Sequence, residues 1–378
     1  MSAIFRYLLL LSAVGLLGGL VWLKAMRPSP RGDVLESPAP AKTVEVDAEK
    51  LPGSGSTPVA FRPQARVNPD SPATLITRLL NGEDIPRPGS AELEGFLDAN
   101  GRRAGSLLGA FRATGDRNFL REAMEKAPSD PRVAFAAYWF GTTAKYDEPA
   151  SPERRQWLEN LKQSDPNDSL GNFLSARDYF NAGQPDKALA ELSAASGKTA
   201  YRDYSREFIQ DAEEAYRAAG LSEAEAKVIA CSELPLPHLA QLKKLAQGVV
   251  NLAGTYRQAG DEASAQAVLQ LGLNVSQRLR SGGDQSLIQD LVGIATERIV
   301  LDGLDPAAAF GADGQTVKGR LDQMLQEREQ IKASAKQIET MLPTMSEQDL
   351  VTFFDRTKTL GESAAMRWAL EKYRQPGR

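Results

Sequence analysis

The sequence predicts an all-α protein, a solenoid of helix hairpins preceded by one transmembrane helix and a proline-rich linker. Three observations predict it. Residues 7–23, "YLLLLSAVGLLGGLVWL", carry no charge. Residues 27–72 hold nine prolines and few large apolar side chains. Residues 176–192, "ARDYFNAGQPDKALAEL", set small, aromatic, glycine, small and aliphatic residues at offsets that recur further along the chain. The expected organisation is a membrane anchor over 1–26, a disordered Pro/Ser/Gly-rich linker over 27–72, helical repeats over 73–280 and a C-terminal helical cap over 281–378.

The apolar run comes first. At 1.5 Å per residue it covers about 26 Å, enough to cross the hydrocarbon core of a bilayer. Tyr7 and Trp22 sit at its two ends, where interfacial aromatics are favoured. A cleaved export signal ends in small residues, whereas Leu23-Lys24-Ala25 places leucine at one of those positions. No cysteine follows the run to carry a lipid. The expectation is an uncleaved single-pass anchor; the alternative is a secreted chain whose signal is removed. Lys24, Arg27 and Arg31 outnumber Arg6, which by the positive-inside rule favours a cytoplasmic C-terminal side. The short N-terminal tail and the Pro/Ala/Ser stalk favour the opposite side, and the helical domain is expected there, at a bacterial cell envelope.

The linker cannot bury enough apolar surface to repay the entropy of ordering. As a flexible chain it spans about 35–40 Å. It reads as a stalk that sets distance from the membrane.

The repeats follow. Ala176, Tyr179, Gly183, Ala188 and Leu192 have counterparts in Ala253, Tyr256, Gly260, Ala265 and Leu269. Leu108, Phe111, Gly115, Leu120 and Met124 keep the offsets with larger residues, and Tyr216, Gly220 and Ile229 keep three of them. Asp130-Pro131 and Asp165-Pro166 mark unit boundaries. Each glycine ends a first helix in the left-handed conformation that glycine adopts cheaply. The alanines let the two helices of a hairpin approach where they cross. The tyrosine, three residues on, lies on the same face and fills the space beside that contact. The aliphatic residue of the second helix faces the next unit.

These residues resemble the tetratricopeptide (TPR) repeat, a helix-turn-helix of about 34 residues. The match is closest over 169–200 and 245–280 and looser over 101–131 and 206–235. The stretch 132–166 departs from it, because "YDEPASPERR" interrupts the turn, and the leading tryptophan of the family is absent from both of the closest units. The resemblance implies peptide or protein binding in a concave groove lined by the first helices. Arg112, Arg217 and Arg257 directly follow the repeat aromatic, and Arg177 precedes Tyr179 by two. Stacked units would align these four along one groove wall, ready for an acidic or C-terminal carboxylate segment.

Beyond 280 the pattern stays helical. Leu287, Leu291, Ile294 and Ile299 belong to one helix ending near Gly303. A long polar helix over about 315–342 carries Val317, Leu321, Met324, Ile331, Ala335, Ile338 and Leu342, with Arg328 breaking the seam. It reads as a cap on the repeats rather than a dimerising coiled coil; nothing else in the sequence supports a homo-oligomer. A last helix starts at Ser346 and runs through Phe353, Phe354, Leu360 and Trp368, with Gly361 as its weak point.

Composition narrows the chemistry. The net charge of −4 lacks the basic excess of nucleic-acid binders. One cysteine, Cys231, and one histidine, His238, rule out an internal disulfide and leave too few Cys/His ligands for a zinc site. His238, in "LPLPH", reads as an exposed loop residue at a helix start. No Gly-rich phosphate loop with its Lys-Ser/Thr is present; "SGGD" at 281–284 follows a helix. Asn167-Asp168-Ser169 and Asn274-Val275-Ser276 match the glycosylation sequon, the second inside an expected helix. The expected role is a scaffold without catalysis, metal or cofactor, binding a protein or peptide partner, with the membrane held by the N-terminal helix. A carboxylate-dependent envelope enzyme of helical toroid form is the alternative from another class.

Overall fold

The computed structural model describes residues 71–142, 148–281, 286–311 and 314–373. The expected anchor and all but the last two residues of the expected linker lie outside them. Pro72 already belongs to a helix, with the Ser71 hydroxyl accepting from the Thr74 amide as its N-cap.

The described residues are overwhelmingly helical. Helices α1 (Pro72–Leu80) and α2 (Ser90–Ala99) precede a series of hairpins. These pair α3 (Ala104–Thr114) with α4 (Arg117–Lys126), α5 (Pro131–Phe140) with α6 (Pro152–Ser164), and α7 (Leu170–Asn181) with α8 (Pro185–Ser196). They continue with α9 (Ser205–Ala218) against α10 (Glu223–Ser232) and α11 (Pro237–Gln258) against α12 (Glu262–Arg280). Then come α13 (Leu287–Leu301), a two-stranded antiparallel hairpin of β1 (Ala309–Phe310) and β2 (Gln315–Thr316), and α14 (Val317–Met341). A 3₁₀ turn (Leu342–Thr344), α15 (Glu347–Leu360) and α16 (Glu362–Lys372) complete the described chain.

Ala176, Ala188, Ala253 and Ala265 have no exposed surface, and Leu192, Leu269 and Tyr216 are buried. Gly183, Gly220 and Gly260 take φ of 65°, 91° and 80°. In all three turns the residue after the glycine donates its amide to the carbonyl of the repeat tyrosine. Gln184 donates to Tyr179 at 2.9 Å, Leu221 to Tyr216 at 3.2 Å and Asp261 to Tyr256 at 2.9 Å. That six-to-one bond closes a helix whose last carbonyls otherwise lack partners.

The hairpins do not contact one another in simple chain order. Helix α4 packs on α5 and α6 on α7, but α9 packs chiefly across α3, and α11 packs across α7. Two glycines explain the first crossing. A Cβ on Gly105 would lie 2.7 Å from the Asp211 carboxylate, and one on Gly109 would lie 2.1 Å from the Asp211 carbonyl oxygen. Backbone meets backbone there, and only a residue without a side chain fits. The C-terminal elements fold back rather than extend the series. Helix α15 packs on α10 and α9, and α1 packs on both α10 and the 342–344 turn. Buried Phe353, Phe354, Leu75, Ile76 and Leu79 fill this seam.

Charges reinforce it. Lys227 on α10 donates to Glu213 on α9 at 2.7 Å and to Asp355 on α15 at 2.6 Å. Lys358 reaches the other Glu213 oxygen at 2.7 Å. Burial disfavours the Lys227 charge, but its bonds to Asp355 and Glu213 outweigh that and raise its pKa.

The last expected helix is two. Gly361, at φ 85° and ψ 159°, ends α15 and starts α16, so the chain reverses and the two helices pack together. The long helix over 315–342 is α14, with Val317, Met324, Ala335 and Ile338 buried and Arg328 paired with Glu329 at its surface.

Candidate functional site

The four arginines expected along one groove wall have separate partners. Arg112 points inward, and its Nη2 donates to the Glu233 carbonyl at 3.1 Å. Burial pushes its pKa down, opposed by the nearby Tyr216, Glu233 and Cys231. Arg177 donates to the Asn181 side chain within its own helix. Arg257 pairs with Glu262 at 3.1 Å across the hairpin turn and donates to the Gly303 carbonyl at 2.7 Å, which ties α11 to the end of α13. Arg217 is the exposed member, 3.7 Å from Glu223. Tyr179 is covered by Arg155, whose guanidinium lies 4.5 Å from the ring centre, a cation–π contact.

His238 is buried, not exposed. Pro237 supplies the first residue of α11, where its missing N–H costs nothing, so the "LPLPH" stretch leads straight into a helix. The imidazole stands edge-on to Phe135 with ring centres 5.5 Å apart, and its Nε2 is 3.4 Å from Asp203. Nearby, burial raises Asp168 to about 7 against the opposing amides of Arg202 and Leu170. Cys231 is also interior, its thiol pushed up to about 12 by burial. Asn274 lies within α12 and donates to the Ser196 hydroxyl at 3.0 Å, so the second sequon is helical, as expected.

A cleft of about 440 Å³ opens between α13, α14 and α16. Both α13 and α16 pack on α14. Their N-terminal ends are pinned together, because the buried Glu362 carboxylate accepts from the Leu287 amide at 2.8 Å. From that joint the cleft runs for about 10 Å, or two helical turns. Each helix presents one face. Leu287, Asp290 and Ile294 come from α13; Glu327, Gln330, Ile331 and Ser334 from α14; Ser363, Met366, Arg367 and Leu370 from α16. These are three-and-four-spaced rows.

A closed ring of ion pairs backs one wall. Arg280 bonds Glu297 at 2.7 Å and Glu327 at 2.6 Å, and Arg320 bonds the same two acids at 2.7 Å and 3.0 Å. Burial opposes the Glu297 charge, yet Arg320 and Arg280 hold its pKa below the usual range. The ring is neutral and spans α12, α13 and α14. Two charged cleft residues stand outside it. Arg367 makes no hydrogen bond or ion pair among the described residues and is exposed. Asp290 is half-buried; burial raises its pKa, and the charge of Glu327 adds to this while Arg280 opposes it.

In the sequence Leu287, Ile294 and Ile331 stand out as apolar helix positions, and Asp290, Glu327 and Arg367 do not stand out at all. Only spacing within each helix was visible, and nothing local tells that rows from three helices converge. Among the described residues no cluster of His, Cys, Asp and Glu forms a metal site. No family model, curated protein or solved structure matches the chain.

Proposed function

We propose that the protein is a scaffold of TPR-like helix hairpins that binds a segment of a partner protein, held at a membrane by residues 7–23 and spaced from it by the stretch up to 72. The observation that carries this reading is the cleft between α13, α14 and α16. It has apolar side chains from all three helices, Ile294, Ile331, Met366 and Leu370 among them, and at its rim Arg367, which has no partner among the described residues. The burial of Cys231 and His238 removes the two best nucleophile and base candidates from contact with a substrate, which favours binding over catalysis.

A carboxylate-dependent enzyme draws support from Asp290 and Glu327 lining one cleft. Acid–base work needs both carboxyls to be addressable. Glu327 is committed to Arg280 and Arg320, so the scaffold reading is the better supported.

The test places a photo-crosslinking amino acid at Gln330 of the full-length chain in its native cell, with Gln258 on α11 as an exposed control. Crosslinks to a protein at Gln330 above those at Gln258 support the reading. Equal yields at both positions contradict it. Carbonate extraction checks the anchor: full-length chain retained in membranes supports it, and a soluble chain lacking its first residues refutes it.

A further inference from the structure

We propose that the cleft binds a short amphipathic helix of a partner protein, with apolar residues three and four apart on its inner face and an acidic residue beside Arg367. The inference rests on the scaffold reading and specifies its ligand. The shape calls for a helix. Helices α13 and α16 both lie on α14 but are joined to each other at the Leu287–Glu362 end, which leaves a trough floored by α14. Ile294, Ile331, Met366 and Leu370 line it from three sides. Grooves of this kind take the apolar stripe of an amphipathic helix, its ridges filling the gaps between theirs.

Charge selects the partner's sign. The arginine ring spends Arg280 on Glu297 and Glu327. Arg367 remains as a rim cation with no anion among the described residues, adjacent in sequence to the wall residue Met366. An acidic side chain one turn from the partner's apolar contacts meets its planar fork.

The experiment selects from a phage-displayed library of helical peptides on the full-length chain in detergent and measures the winners by fluorescence anisotropy. Expected winners carry apolar residues at i, i+3 or i+4, and i+7 with an acid on the flank. Their affinity falls at least tenfold on Arg367→Glu and on Ile331→Asp, and on a central proline in the peptide, while Arg121→Glu on α4, outside the cleft, leaves it unchanged. Leu370→Asp serves in place of Ile331→Asp if that variant loses helical circular dichroism. No winners, winners without that spacing, or binding retained in either cleft variant overturns the inference. So does concentration-dependent dimerisation that Ile331→Asp abolishes, since a second copy then fills the trough. A partner crosslinked at Gln330 through a non-helical segment overturns the inference while leaving the scaffold reading intact.

Discussion

The Tyr256 carbonyl accepts the Asp261 amide at 2.9 Å across a single left-handed glycine, Gly260, as the Tyr179 carbonyl accepts the Gln184 amide across Gly183. The same bond in two hairpins far apart in sequence is the structural meaning of the recurrent tyrosine–glycine spacing.

Gly260→Ala isolates the conformational cost of that turn, because a Cβ there meets no atom within 4 Å and φ is +80°. The expected loss is about 1 kcal/mol of unfolding free energy, with Asn milder and Val worse. Urea denaturation measures it; a Val variant as stable as wild type would contradict the assignment.

Glu213→Ala tests the seam between α9, α10 and α15. It strips Lys227, which is 5% exposed, and Lys358 of a shared carboxylate. Removing one partner of a buried pair costs about 3–5 kcal/mol, whereas Glu213→Gln keeps a hydrogen-bond acceptor and costs less. Equal, small losses in both variants would show that the seam is held by Phe353 and Phe354 alone.

Stability also carries a pH signature at Asp168. Burial raises its carboxyl to about 7, above the value of about 3.9 in an unfolded chain. Between those limits the folded chain keeps a proton that the unfolded chain releases. Stability from this group is therefore full below about pH 4 and declines as pH rises to about 7. Asp211, raised to about 6 by burial, acts with the same sign. Asp168→Asn retains a carbonyl for the Arg202 amide, so the urea midpoint of the variant should gain on wild type between about pH 4 and pH 7.5. A constant difference over that window would rule the group out.

Much of the helical layout was legible because hairpin turns and small-residue contacts are local. Gly183 and Gly260, with the alanines beside them, are read within one unit, and Ser346 and the 317–342 seam likewise. The crossing of α3 on α9 was not, because Gly105 and Gly109 look like two weak helix positions until Asp211, far away in sequence, is set against them. His238 was misplaced because flanking prolines signal both loops and helix starts. The short β1–β2 hairpin is too brief to leave an alternating pattern. The cleft escaped for the same reason as the crossing: Asp290 and Arg367 lie on helices that nothing local brings together.

The non-sequential closure is tested most directly by one pair of glycine-to-alanine changes in helix interiors. At Gly109 the added methyl would stand 2.1 Å from the Asp211 carbonyl oxygen, while at Gly254 on α11 it meets nothing within 4 Å. Urea unfolding should show Gly254→Ala neutral or more stable by up to about 1 kcal/mol, as helix propensity dictates. Gly109→Ala should lose several kcal/mol or fail to fold, well beyond an ordinary overpacking cost of about 1–3 kcal/mol. A Gly109→Ala protein as stable as the Gly254→Ala protein would mean that α3 and α9 do not cross, and the arrangement of hairpins described above would be wrong.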